Sequence, residues 1–320
     1  MFHLHRHSPS SLWLMVLVLL LLFFMGPGVV RPVQGDPGRK VVAFAQDTMA
    51  NDWRVAQVRD VEQTLSQYPW IDFLFSNAQG QTARQVMDIE NYIAQGVDLL
   101  ITSPRDMNLV SPVIAMAYQR GIPVVLLSRR TNHDHFTTFL HADNRAIAAM
   151  AARRLASRLK GQGRILVLQH IPTSTPGMLR TEGFLKELAN HPGLEVAAIK
   201  RADSMRGKAI KAVEAALAEG IKFDAIYAQS DSMATGARMA LKTAGIDPKT
   251  IPITGIDYIR EARDAIRQGE MDASFTYPTF GVQGAHFAAQ ILQGKTVPKE
   301  VVVDSTMITR ENVEQVKPIF

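Results

Sequence analysis

The sequence predicts an α/β fold: two doubly wound parallel-sheet lobes, each strand followed by a helix that returns the chain to the same edge. Three observations predict it. Short β-branched runs recur from Lys40 onward, most of them apolar at every position, as expected of parallel strands covered on both faces. Amphipathic stretches of helical period fill the intervals. The runs number nine, more than one small open sheet usually holds.

The chain begins with a segment that must be set aside first. Residues 1–11 carry Arg6 and three histidines but no acid, and residues 12–25 are fourteen uncharged, mostly aliphatic positions. Gly26-Pro27-Gly28 breaks any helix, and Val33-Gln34-Gly35 offers small residues for cleavage. A positive start, a short apolar centre and a small-residue exit describe a secretory signal peptide over 1–35. Fourteen apolar residues fall short of the roughly 20 that span a bilayer, so a cleaved leader and a periplasmic location are expected rather than an anchor.

Cleavage after Gly35 leaves 285 of the 320 residues. Losing Arg6 and Arg31 takes the 35 basic residues to 33, against 30 acidic. So small an excess, with no dense basic run among aromatics, gives no reason to expect nucleic acid as a partner. There are no cysteines. A core of this size needs no disulfide, and without Cys there is no residue to carry a lipid after the leader.

The strand runs fall at 41–46, 71–76, 99–102, 123–127, 164–169, 196–200, 225–229, 253–256 and 273–277. Between Gln81 and Gln95, Val86, Ile89 and Ile93 share one helical stripe; between Asn144 and Lys160 the alanines with Leu155 and Leu159 do the same. Gly96, Gly121, Gly220 and Gly245 stand where helices should end. A division is expected near Ala142-Asp143, after the first series of strands and before the second restarts at Arg164. Residues 273–277, followed by Pro278, look like a second crossing. No linker rich in Pro, Gly or Ser separates the halves, as short strand-like crossings would explain.

Open α/β sheets bind ligands beyond the carboxyl ends of their strands. Surveying those ends finds the 47–54 segment with Asn51, Trp53 and Arg54, then Ser128-Arg129-Arg130. It continues with Gln169-His170 and Arg180 beyond, Ser230-Asp231, Asp257-Tyr258 and Thr276-Tyr277. Planar polar side chains hold adjacent hydroxyls while aromatic faces cover the apolar side of a sugar ring. The competing role for Asn51, Asp143 and Asp231 is helix capping. Trp53 has plain core as its alternative, although Asp52 and Arg54 on either side argue against a fully buried neighbourhood. One of Arg129 and Arg130 is expected to be solvated or to bridge the lobes, with Arg129 the pocket residue.

Signatures of catalysis are missing. No Gly-x-Gly-x-x-Gly follows a strand, since Gly161-Gln162-Gly163 precedes one, and there is no Walker loop or Gly-x-Ser-x-Gly elbow. His133, His135 and His141 are the remaining metal candidates; histidines two apart in a polar loop are more often solvated. No enzyme activity, cofactor or metal is expected.

Taken in order, several segments resemble the periplasmic sugar-binding proteins of type I topology, near their ribose- and galactofuranose-binding branch. They are Asn51-x-Trp53-Arg54, Ala94-Gln95-Gly96-Val97-Asp98, Gly121-Ile122-Pro123-Val124, Ala142-Asp143-Asn144 and Ala228-Gln229-Ser230-Asp231-Ser232-Met233. The resemblance spans essentially the whole chain after the leader. It implies two lobes joined by a three-crossing hinge, here 36–142 plus 278–303 and 143–277 plus 304–320. It implies ligand contacts at Asn51, Trp53, Arg54, Asp88, Ser128, Arg129, Arg180, Ser230, Asp257 and Tyr277. The implied role is a monomeric ABC-importer component that binds a furanose, pentose or related polyol and docks on an inner-membrane permease. The alternative is a module presenting its ligand, including a furanosyl-like signal, to a histidine kinase or chemoreceptor. Three positions depart from the family: Ser128 replaces an acid, Ser230 an amide, and Tyr277 a Gln or Glu.

Overall fold

The structure is a computed structural model that describes residues Gly38–Phe320; the leader expected over 1–35 lies outside the described residues. Its first sheet has six strands in the order β11-β5-β4-β3-β1-β2. These are β1 (Lys40–Gln46), β2 (Ile71–Asn77), β3 (Leu99–Thr102), β4 (Val124–Leu127), β5 (Thr138–Ala142) and β11 (Glu300–Val303), all paired in parallel. The second has β7-β6-β8-β9, built from β6 (Gly163–Gln169), β7 (Leu194–Arg201), β8 (Ala225–Ala228) and β9 (Ile253–Thr254), again parallel. Single bridges from Thr254 to Ala273 and from Asp257 to Thr276 extend it toward an antiparallel pair, β10 (Ser274–Phe275) with β12 (Met307–Ile308).

The continuous apolar runs are explained by where alternate side chains go. In β1, Val42 and Phe44 enter one core while Ala43 and Ala45 enter another on the opposite face. In β6, Ile165 and Val167 face the core shared with the first sheet, and Leu166 and Leu168 a third core. Successive strand residues point to opposite faces, so a strand covered twice has no polar face to show.

Nine helices lie among the described residues: α1 (Asp52–Leu65), α2 (Thr82–Gln95), α3 (Ser111–Gln119), α4 (Asn144–Arg158), α5 (Thr175–Leu188), α6 (Arg206–Ala218), α7 (Asp231–Thr243), α8 (Arg260–Gln268) and α9 (Gly281–Leu292). Their ends follow local chemistry. Asn51 caps α1, Asp143 caps α4 and Ser174 caps α5, each by accepting a backbone N–H in the first turn. Gly96 closes α2 in the left-handed region at φ 69°. None of these helices is long and apolar enough to cross a membrane.

After β5 the chain enters α4, which packs on α5 and β8; after β10 it returns as α9, which packs on α1, β3 and β4. A third passage, 304–306, joins β11 to β12. Three short strands, β5, β11 and β12, stand outside the nine runs read from the sequence.

Candidate functional site

The carboxyl ends of both sheets converge on one cavity, with about 380 Å³ of non-protein space that includes its opening to solvent. Eight of the ten residues singled out from sequence line it: Asn51, Trp53, Arg54, Ser128, Arg180, Ser230, Asp257 and Tyr277. The first sheet delivers Asn51, Trp53 and Arg54 through the first turn of α1, and Ser128 from the end of β4. The second delivers Ser230 after β8, Asp257 after β9, and Arg180 from within α5.

On the first-sheet side, the guanidinium of Arg54 donates from Nη1 to Gln57 Oε1 and Ser103 Oγ, both at 2.9 Å. Its Nε lies 3.4 Å from Asp47 Oδ1. Burial and the neighbouring Arg129 press its pKa down to about 9. Trp53 donates its indole N–H to the Tyr277 carbonyl at 3.1 Å, tying α1 to the passage between β10 and α9. The expectation that Asp52 and Arg54 keep this neighbourhood open needs correction. Trp53 and Arg54 are both buried, because Asp47, Gln57 and Ser103 supply the polar partners that water would otherwise give Arg54.

Arg129 does not line the cavity. It is 2% exposed and donates from Nη1 to Asp47 Oδ2 at 2.8 Å. Ser128 takes a left-handed φ of 62° and lines the cavity, so the residue after it is carried behind the wall. Burial alone would lift the Asp47 carboxyl, but Arg129, Arg54 and Arg105 reverse this and hold it below the usual range. Arg130, by contrast, is half-buried and donates its backbone N–H to Thr175 Oγ1 at 3.0 Å, from the first sheet's side to the second's. Asp88 is also elsewhere: it sits half-buried on α2, near Tyr92, and is not among the residues that line the cavity.

On the second-sheet side, Arg180 is 2% exposed. Its Nε donates to Asn144 Oδ1 at 2.8 Å, its Nη1 to the Gln229 carbonyl, and its guanidinium lies 4.5 Å over the Tyr277 ring. Asp257 is 7% exposed, and its backbone is held at φ 128°, a strained value of the kind that collects at functional sites. No side chain donates a hydrogen bond to its carboxylate among the described residues. Burial raises this carboxyl well above its ordinary pKa, with Arg180 opposing and Asp231 adding to the rise. Asp231 stands behind the wall and accepts from Ser274 Oγ at 2.8 and 2.9 Å and from the Ile259 N–H. Burial pushes it up to about 6.

The capping alternatives resolve residue by residue. Asn51 does both: its Oδ1 accepts from Arg54 N at 2.9 Å, and its Nδ2 reaches the Ser204 carbonyl across the cavity at 3.5 Å. Asp143 is a cap. Asp231 is the first residue of α7 and not its cap, which is Ser230, a residue that also lines the cavity.

Four lining residues carried no assigned role in the sequence reading: His170, Pro176, Ser204 and Ser232. Only His170 left a signal there, as the polar end of an apolar strand. Beyond the cavity, among the described residues, no cluster of His, Asp or Glu is placed to hold a metal. The site contains two guanidiniums, a carboxylate, an amide, an imidazole, four serines and two aromatic rings. That inventory suits binding a small hydroxylated molecule.

Comparison with known proteins places the chain. A family model described as a periplasmic binding protein domain matches residues 42–296. A putative rhizopine-binding protein of Rhizobium meliloti is 28% identical over 253 residues, 77% of this chain and 82% of that protein. The fructose-binding periplasmic domain of a hybrid two-component system is 31% identical, with a TM-score of 0.81 over 87% of this chain and 93% of that one. An ABC transporter solute-binding protein from Bacillus halodurans, solved with bound myo-inositol, is 26% identical, with a TM-score of 0.82 over 88% of this chain and 98% of that one.

Proposed function

The chain belongs to the periplasmic binding protein family, whose members here are binding proteins and not enzymes, and on that premise we propose that it is the solute-binding component of an ABC importer. Its cargo is a sugar, in the class of furanoses, pentoses or related polyols, taken between two lobes. One lobe is 36–142 with 278–303, the other 143–277 with 304–320. Residues 1–35 direct export and are removed, and the mature protein works in the periplasm as a monomer that docks on an inner-membrane permease.

One observation carries this reading. Arg180 and Asp257 are both buried, both face the same cavity, and no ion pair joins them. A buried charge left unpaired is costly, and a hydroxyl between the two removes that cost by accepting from one and donating to the other. Trp53 and Tyr277 pack against each other in the wall with ring centroids 6.0 Å apart, giving the cavity an apolar side of the kind that suits the C–H side of a sugar. Micromolar capture requires about 8 kcal/mol, which three to five charge-assisted bonds of roughly 1.5–3 kcal/mol supply after ordering costs.

Closure follows from the same contacts. A ligand favours the closed form only by the affinity it gains there, and Arg180, Asp257 and Ser230 reach it only when the second lobe has swung in. The backbone N–H of Met107 to the Thr173 carbonyl, Arg130 N–H to Thr175 Oγ1, and the Asp52–Arg206 ion pair then lie across the mouth.

A thermal-shift panel of D-fructose, D-ribose, L-arabinose, xylitol, myo-inositol and non-sugar controls tests the reading, because a ligand selective for the folded closed state raises the melting temperature. No shift with any sugar, and a shift with an amino acid or organic anion, would refute it. A second reading has its own support in the 31% identity to a two-component sensor domain: the closed clamp presents its ligand to a histidine kinase. Uptake of the labelled ligand in cells lacking this chain separates the two, since import requires it and sensing does not.

A further inference from the structure

His170 stands at the carboxyl end of β6, is 6% exposed and lines the cavity. Its Nδ1 accepts the backbone N–H of Ile171 at 2.7 Å. The Ser174 hydroxyl, 3.1 Å from the same nitrogen, lies 2.8 Å from the Ile171 carbonyl, to which it donates. An imidazole nitrogen that accepts a backbone N–H has no proton of its own, so the neutral ring carries its hydrogen on Nε2. That Nε2 meets no protein acceptor among the described residues. Protonating the ring a second time is opposed first by burial and then by the guanidiniums of Arg129, Arg180 and Arg54 around it.

From this placement we propose that His170 is a ligand-contacting residue, presenting Nε2–H as a fixed hydrogen-bond donor to an acceptor oxygen of the bound sugar. The proposal rests on the reading that the cavity takes a sugar and adds a selectivity rule to it. Each serine hydroxyl in the wall can donate or accept, whereas this N–H can only donate. A sugar oxygen facing it must accept, as a ring oxygen or a suitably turned hydroxyl does, and an analogue bearing a methyl or ammonium group there is rejected.

Two conservative variants separate contact from mere support. In His170→Asn the amide oxygen falls near the position of Nδ1, keeping the Ile171 bond while deleting the donor. In His170→Gln the amide nitrogen reaches the position of Nε2, keeping the donor while weakening the Ile171 bond. Calorimetry with D-fructose, D-ribose, xylitol and myo-inositol should show His170→Asn losing about tenfold or more in affinity, with the ligand-free melting temperature nearly unchanged. His170→Gln should stay within about threefold of wild type and melt lower. The reverse order, affinity kept by Asn and lost by Gln, overturns the proposal. If the wild type binds none of the four sugars, the sugar reading is what fails. The ring is then tested directly by ¹⁵N NMR of the ligand-free protein: an Nδ1–H tautomer, or titration near the ordinary value of about 6.5, overturns the proposal independently.

Discussion

Replacing Arg180 with methionine keeps the length of the side chain and removes its charge. Three interactions within the protein go with it: Nε to Asn144 Oδ1, Nη1 to the Gln229 carbonyl, and the cation over the Tyr277 ring. The two orphaned acceptors destabilise the fold, but removal of a guanidinium that is 2% exposed also removes its desolvation cost. These oppose each other, so the ligand-free melting temperature should move by only a few degrees. Binding has no such compensation. A charge-assisted bond to a ligand hydroxyl contributes about 1.5–3 kcal/mol. Asp257 also loses the arginine that most opposes its raised pKa, so its carboxyl is raised further and is a poorer acceptor for the next hydroxyl. A combined loss of about 3 kcal/mol is roughly a hundredfold in affinity. Isothermal calorimetry gives the affinity, and scanning calorimetry without ligand gives the fold. Arg180→Lys keeps the charge without the planar fork and should fall between, about tenfold weaker. Affinity within threefold of wild type for a folded Arg180→Met protein would remove Arg180 from the site and with it the central observation for sugar capture.

Other perturbations follow from the same geometry. Asp231, raised from 3.8 to about 6 by burial, holds its proton more tightly when folded. Its stabilising contribution is therefore full below pH 3.8 and is lost as pH rises through about 6. Asp231→Asn should gain on wild type across that window in urea unfolding; His170, which opposes the trend below its ordinary pKa, is common to both proteins and drops out of the difference. A difference independent of pH would contradict this. Gly183→Ala would set a Cβ 2.5 Å from the Arg145 carbonyl oxygen and 2.7 Å from its Cα, forcing α4 from α5 at about 1–3 kcal/mol. Gly207→Ala, with nothing within 4 Å, is the neutral control, and equal effects in the two would discount the contact. Thr175→Val deletes the acceptor of the Arg130 N–H and should speed ligand release about fivefold at about 1 kcal/mol. An unchanged dissociation rate in stopped flow would show that this bond does not hold the cleft shut.

Strand ends proved to be the legible part of the site, for a reason that also sets the limit. A parallel strand covered on both faces is apolar until it leaves the sheet, so the polar residues just past its last apolar positions mark where the chain meets the cavity; Ser128, His170, Ser230 and Asp257 fall there. The rule locates a turn but does not aim its side chains. Ser128 and Arg129 are neighbours after one strand, yet the positive φ of Ser128 puts one on the cavity and sends the other to Asp47. Only the buried carboxylate of Asp47, contributed by a different strand, explains that choice, and nothing local to Arg129 announces it. Asp88 differs in the opposite way: a position carried over from a resemblance keeps its place on α2, near Tyr92, but does not line the cavity. Strand β12 is two residues long, and β11 is an edge strand with alternating exposure, so neither has the run of apolar positions that revealed β1 or β6. Both are specified by the passages that carry the chain between sheets. The architecture is therefore written in periodicity, whereas the wall of the cavity is written in pairs of residues far apart in sequence. Arg129 with Asp47, Trp53 with Tyr277 and Arg180 with Asn144 are such pairs, in which one side chain decides where the other points.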